Sequence, residues 1–184
     1  MSVAASAREW LQSSDVWTVD PAHSAVQFRV KYLMVESVKG QFRDFDGSII
    51  GGSTPSFSGS IRVASLETLD PGRDDHLRSV DFFDVERHPE ITFSSSEFEW
   101  AGDELFTLPG ELTIKGVTRP ISMGGTLGSV EVDPDGVNRL AVALRGRIDR
   151  SDYGLVWSRT LEAGGVLVGN GVDVLLDVTA VRAD

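Results

Sequence analysis

The stretch Ser24–Tyr32, SAVQFRVKY, decides the fold. Val26, Phe28, Val30 and Tyr32 take every second position, and Gln27, Arg29 and Lys31 fill the gaps. Successive side chains on a strand point to opposite faces, so this run predicts a strand with one buried and one wet face. The same period returns in Phe57, Ile61 and Val63, and in Phe106, Leu108, Leu112 and Ile114. It returns again in Leu140, Val142, Leu144 and Ile148, with Arg145 and Arg147 opposite, and in Val172, Val174, Leu176 and Val178. Weaker alternation surrounds Phe42, Ile91–Phe93 and Ile121–Met123. These runs predict about eight strands in antiparallel order. Asp46-Gly47, Gly51-Gly52, Lys115-Gly116, Gly124-Gly125 and Asp135-Gly136 read as turns between them. Such a set suits a closed barrel, which can hold one small ligand, or a sandwich filled by side chains. Periodicity alone does not choose between them.

Two stretches break the alternation. LMVESVKG (33–40) reads as a turn or short helix between the first two long strands. GRDDHLRSVDFFDVERHP (72–89) reads as a helical insertion near residues 73–88. Asp74 and Arg78 stand four apart, which pairs them on a helix, and Pro89 ends any helix at or before His88. Asp81 and Asp84 read as helix N-terminal carboxylates. Ala4–Gln12 is a candidate short helix whose Trp10-Leu11 pair either docks or frays. The expected organisation is an extension over 1–14 and one domain over 15–184.

Composition narrows the function. Hydrophobic residues make up 41% and charged residues 24% of 184, the balance of an ordinary globular domain. The net charge of −11 disfavours nucleic-acid backbones and anionic membrane surfaces as partners. With no cysteine, disulfides, thiolate nucleophiles and cysteine-based metal sites are excluded. No segment approaches the roughly 20 apolar residues of a membrane span. The first residues lack the pattern of a signal peptide, so a cytoplasmic protein is expected.

Candidate chemistry is sparse. His23, His76 and His88 lack metal-ligand spacing, and no nucleophile elbow is present. The glycines of EAGGVLVGNG (162–171) read as turn and bulge residues rather than a phosphate loop. His76 with Asp74 is the one candidate acid–base pair. Phe82 and Phe83 project about 100° apart on a helical turn, so one faces the core while the other faces a cavity or mouth. Ordinary core packing is the alternative.

Four stretches carry a resemblance: WTVDPAHSAVQFRVKYLMVESVKGQFRDFDGSI, RDDHLRSVDFFDVERHPEITF, GELTIKGVTRPI and RSDYGL. In this order, from Trp17 to Val181, they resemble the YceI-like family of small lipocalin-like β-barrels associated with polyisoprenoid binding. The resemblance implies an eight-stranded antiparallel barrel with a short helical insertion. It implies a non-enzymatic binder of a long-chain isoprenoid lipid, such as an isoprenoid quinone or polyprenyl phosphate, without cofactor or metal. A homodimer is typical of the family. Asp20 and His23 match its D-x-x-H start. Asp74, His76, Leu77, Arg78, Ser79, Asp81 and Phe82 match its central block, and Arg150, Asp152 and Gly154 its R-x-D-x-G segment. Arg78 is the expected anchor of the insertion, since a guanidinium satisfies carboxylate and carbonyls together. The expected ligand-lining residues are Val26, Phe28, Val30, Phe42, Phe57, Ile61, Phe82, Phe83, Phe93, Leu112, Ile114, Met123, Leu144 and Trp157. The rival readings are a small-molecule enzyme using His76 and Asp74, and an interaction module whose core is packed shut.

Overall fold

The structure, a computed structural model, describes residues 6–158 and 167–183. Its strands are β1 (Val16–Val19), β2 (Ala25–Tyr32), β3 (Glu36–Phe42), β4 (Phe45–Ile50), β5 (Ser56–Arg62) and β6 (Leu66–Glu67). They continue with β7 (Glu90–Ser95), β8 (Glu99–Trp100), β9 (Leu105–Ile114), β10 (Val117–Val132), β11 (Asn138–Asp149) and β12 (Val168–Arg182). Two α-helices, α1 (Ala7–Gln12) and α2 (Pro71–Arg78), and three 3-10 turns, Pro21–His23, Val63–Ser65 and Arg150–Tyr153, complete the described elements. Among the described residues, β1, β4, β5, β7, β9, β10, β11 and β12 form an eight-stranded antiparallel ring, closed where Trp17 faces Arg182. The predicted barrel is therefore present, and the sandwich is not.

β1 and β2 behave as one long strand with a kink at the 3-10 turn Pro21–His23. Both pair with β12, while β4 and β3 follow them on the other side. Asp20 holds the kink. Its carboxylate accepts from Ala22 N (3.1 Å) and from Arg139 Nη1 (2.7 Å), and lies 2.8 Å from His23 Nδ1. Arg139 also donates through Nε to Asp133 (2.8 Å), whose other oxygen caps the turn before Val137. The Asp-x-x-His pair thus fastens a bend in the wall.

Inward glycines shape the interior. A Cβ on Gly40 would fall 2.2 Å from the Phe28 ring, one on Gly110 2.6 Å from Phe93, and one on Gly125 2.1 Å from Phe106. Each ring lies flat where a neighbouring strand carries no side chain. This corrects two sequence readings. Residues 36–40 belong to β3, because Gly40 sits inward beneath Phe28. Asp46-Gly47 and Gly124-Gly125 are not turns but lie inside β4 and β10. Gly51-Gly52, Lys115-Gly116 and Asp135-Gly136 do stand between strands.

One end of the barrel is sealed. Helix α1 starts at a capping box, with Ser6 and Glu9 bonding reciprocally. Its Leu11 is completely buried beside Trp17, and the Trp10 and Trp17 rings meet edge to face at 6.1 Å. Gly52 N donates to Leu11 O (2.8 Å), which ties the helix to the β4–β5 turn. Ile49, Leu108, Leu127 and Leu140 fill the space beneath. The Trp10-Leu11 pair is docked.

The insertion between β5 and β7 is shorter in helix than the sequence suggests. Helix α2 begins at Pro71, capped by Asp70, and stops at Arg78, ten residues before His88. Ser79 takes over the backbone: its carbonyl accepts from Phe82 N and Asp84 N, so the chain turns instead of winding on. Asp81 and Asp84 accordingly follow the helix and do not begin it. Arg78 pairs with Asp75 (3.3 Å), not Asp74, and donates to Ala64 O (3.1 Å) and Leu66 O (2.5 Å). Those carbonyls precede α2 in the chain, so Arg78 pins the helix to the wall, as an anchor.

Gly125→Ala is expected to destabilise by about 1–3 kcal/mol, the usual range for overpacking. Thermal melts check this, and adding Phe106→Leu is expected to recover part of the loss. The carboxyls of Asp20 and Asp133 are held below the ordinary range, Asp20 chiefly by Arg139 and then His23, Asp133 chiefly by Val137 N–H and then Arg139. Folding therefore gains from both above the ordinary aspartate value of about 3.9, and that gain disappears as pH falls through their lower folded-state values. Denaturant titrations in this acid window are expected to show a steep loss of stability, and Asp20→Asn a shallower one.

Candidate functional site

The other half of the barrel is hollow. Its cavity holds about 500 Å³, within the range of ligand pockets. The inward positions of the long strands make the wall. Val26, Phe28 and Val30 line it from β2, Phe42 from β3, Phe57 and Ile61 from β5, and Phe93 from β7. Leu112 and Ile114 line it from β9, and Met123 from β10. Phe82 and Phe83 enter from the turn after α2, and Trp157 from the β11–β12 connection. Thus both phenylalanines of the insertion reach the cavity.

Leu144 is a correction. It is completely buried and does not border the cavity. It stands opposite Gly125, over which the Phe106 ring lies, so the floor there is already packed. Several wall residues escaped the sequence reading. Ile148, Val172, Val174 and Leu176 follow the same alternation and were legible as inward. Leu77 and Leu155 sit in aperiodic segments that give no such signal.

Three polar side chains at the wall, those of Arg73, His76 and Arg150, are already occupied. Arg150 is buried, and its guanidinium donates to four carbonyls: Gly169 O (2.9 Å), Leu155 O (2.6 Å), Trp157 O (2.8 Å) and Val168 O (3.1 Å). Burial pulls its pKa below the usual arginine value, an effect the nearby Asp149 partly opposes. This one side chain fastens the start of the β11–β12 connection to the start of β12. Gly154, in the left-handed region at φ 75°, ends the 3-10 turn that presents Arg150. Arg73 donates to the Thr68 hydroxyl (2.8 Å) and carbonyl (2.8 Å).

The acid–base pair does not assemble. Asp74 is buried and accepts from Thr68 N (2.8 Å) and the Thr68 hydroxyl (2.5 Å). His76 turns instead to Asp81, with Nε2 to Oδ2 at 2.9 Å. Its ring meets Phe82 and Trp157 edge-on, at 5.2 and 4.6 Å between centroids. The three rings together line one side of the cavity. Among the described residues no group of three or more metal-ligating side chains converges. No helix among them is long and apolar enough to cross a membrane.

The chain matches the YceI-like domain over residues 17–180. It is 37% identical over 164 residues to the UPF0312 protein SAS2572 of Staphylococcus aureus (strain MSSA476), covering 85% of this chain and 91% of that one. Among solved structures, BcnA of Burkholderia cenocepacia superimposes with a TM-score of 0.76 at 24% identity, over 88% of this chain and 98% of BcnA. The Campylobacter jejuni YCEI protein gives 0.72 at 28% identity, over 84% and 90%. A polyisoprenoid binding domain from Saccharophagus degradans gives 0.71 at 16% identity, over 91% and 98%. A hollow eight-stranded barrel, capped by an arginine-pinned insertion and matched along nearly its whole length, belongs to the YceI-like family.

Proposed function

We propose that this protein binds a long-chain isoprenoid lipid without chemical conversion, with the tail enclosed in the barrel cavity. The observation that carries the reading is the pairing state of the wall. The wall is overwhelmingly apolar, and Arg73, His76 and Arg150 are committed to protein partners. Gln27, Lys31 and Tyr32 border the cavity without a side-chain partner among the described residues, but they are set in a mostly apolar lining, so a hydrocarbon tail is the matching occupant. The structural likeness to the Saccharophagus degradans polyisoprenoid binding domain agrees with this. The enzyme reading loses its catalytic pair, because Asp74 faces Thr68 rather than His76. The closed-module reading conflicts with the cavity. An isoprenoid quinone or a polyprenyl phosphate is the candidate cargo, and no resident cofactor is part of the proposal. Cytoplasmic operation and a homodimer belong to it as well, tested by cell fractionation and by sedimentation.

Each buried methylene is worth about 0.8 kcal/mol, so an enclosed five-carbon unit contributes roughly 3–4 kcal/mol. Several units exceed the ceiling of about −18 to −21 kcal/mol for non-covalent binding, so chain ordering and partial enclosure offset much of the gain. Affinity for prenyl alcohols is therefore expected to rise over the first few units and level off once the cavity is full. Matching phosphates are expected to bind similarly. Length-independent affinity, or far tighter binding of phosphates, counts against the reading. Phe28→Asp places an uncompensated carboxylate against the tail and is expected to abolish binding, while Phe28→Leu retains it. Normal binding by a folded Phe28→Asp protein defeats the proposal.

A further inference from the structure

The cavity ends at a floor that several strands share. On β12 the last bordering residue is Val178, and the next inward one, Ala180, is completely buried. On β1 Val19 borders the cavity, and Trp17, one inward step deeper, is completely buried. On β4 the same step leads from Gly47 to completely buried Ile49. The inward alternation thus runs on past the cavity, while the open space does not.

Two leucines stand where the open space meets this floor. Leu108 faces Met123 in register, and Leu144 faces Leu176. Both partners border the cavity, and neither leucine does. Both leucines are completely buried, with Trp17, Leu127 and Leu140 filling the space beneath. Close-packed interiors yield little, so the two leucines have nowhere to retreat.

The space above them has a definite size. An apolar cavity of about 150 Å³ takes a six-carbon ring, so 500 Å³ takes about twenty carbons, or about four isoprene units. Depth gives a second measure. β12 borders the cavity from Val168 to Val178. At roughly 3.3 Å per residue and a tilt of about 40°, that run is about 25 Å deep. Four isoprene units carry about sixteen main-chain carbons, which reach about 20 Å when extended, at about 1.5 Å per bond. Volume and depth agree on one extended tail of this length.

We propose that Leu108 and Leu144 form a stop that limits the enclosed tail to about four isoprene units, with further units left outside. The inference rests on the isoprenoid reading and adds the tail length that the barrel selects. The test is a titration of the purified protein with geraniol, farnesol, geranylgeraniol, geranylfarnesol and solanesol. Affinity is expected to climb at least about tenfold per unit to geranylgeraniol, then change less than about twofold up to solanesol. Leu108→Ala/Leu144→Ala removes about six carbons from the stop, so its affinity is expected to climb one unit further, to geranylfarnesol. Leu127→Ala removes carbon one level deeper, opposite Val142, and is expected to level off at geranylgeraniol as the wild type does. Leu176→Phe adds a ring beside Leu144 and is expected to cost geranylgeraniol about tenfold and farnesol less than about twofold.

Affinity that keeps climbing to solanesol overturns the stop and leaves the isoprenoid reading in place. So does a double variant that folds yet levels off at geranylgeraniol, or an equal gain in Leu127→Ala. If the double variant does not fold, Leu176→Phe decides, and an equal loss for farnesol overturns the stop. Binding of no prenyl alcohol defeats the isoprenoid reading and the stop with it.

Discussion

A closed eight-stranded barrel has an interior about wide enough for side chains to fill. Whether it becomes a plug or a pocket depends on where ring volume is placed, and here phenylalanines lying over inward glycines decide that. Phe106 spreads over Gly125 above a floor that Trp17, Leu127 and Leu140 already fill. In the other half Phe28 and Phe93 lie flat on Gly40 and Gly110, against the wall, so the centre stays empty. Gly47 and Gly59 face each other across β4 and β5 at the cavity wall and add room by having no side chain.

These glycines also explain what was legible. Strand phase was readable wherever apolar and charged residues alternate. In β11 and β12 the outward Arg145 and Arg147 meet Asp177 and Asp173, and the inward valines follow. Strand extent is hidden at Gly40 and Gly125, because an inward glycine looks like a turn until its covering ring is seen, while Gly47 and Gly124 have no such ring and simply continue β4 and β10. The misplaced Leu144 has the same origin: alternation assigns a face, not a height along the barrel.

The polar residues resisted for a different reason. Asp74 could face Arg78, His76 or an N–H by spacing alone, and the structure gives it to Thr68, upstream of the helix. Arg150 spends its charge on backbone carbonyls, acceptors that every residue supplies and no pattern reveals. Arg78 does the same at Ala64 and Leu66. The connections beside the cavity are thus held by guanidinium–carbonyl bonds.

The closing strand has a consequence for how the chain becomes a barrel. β12 pairs with β1 and β2, roughly 150 residues earlier by register, and no local hairpin can substitute for that ladder. During synthesis, the first hairpins wait with an unpaired edge until β12 is made. The cavity wall contributed by Val172, Val174 and Leu176 arrives in that same step. Closure of the cavity therefore waits for β12, and slow closure through distant contacts is the kinetic signature this topology imposes.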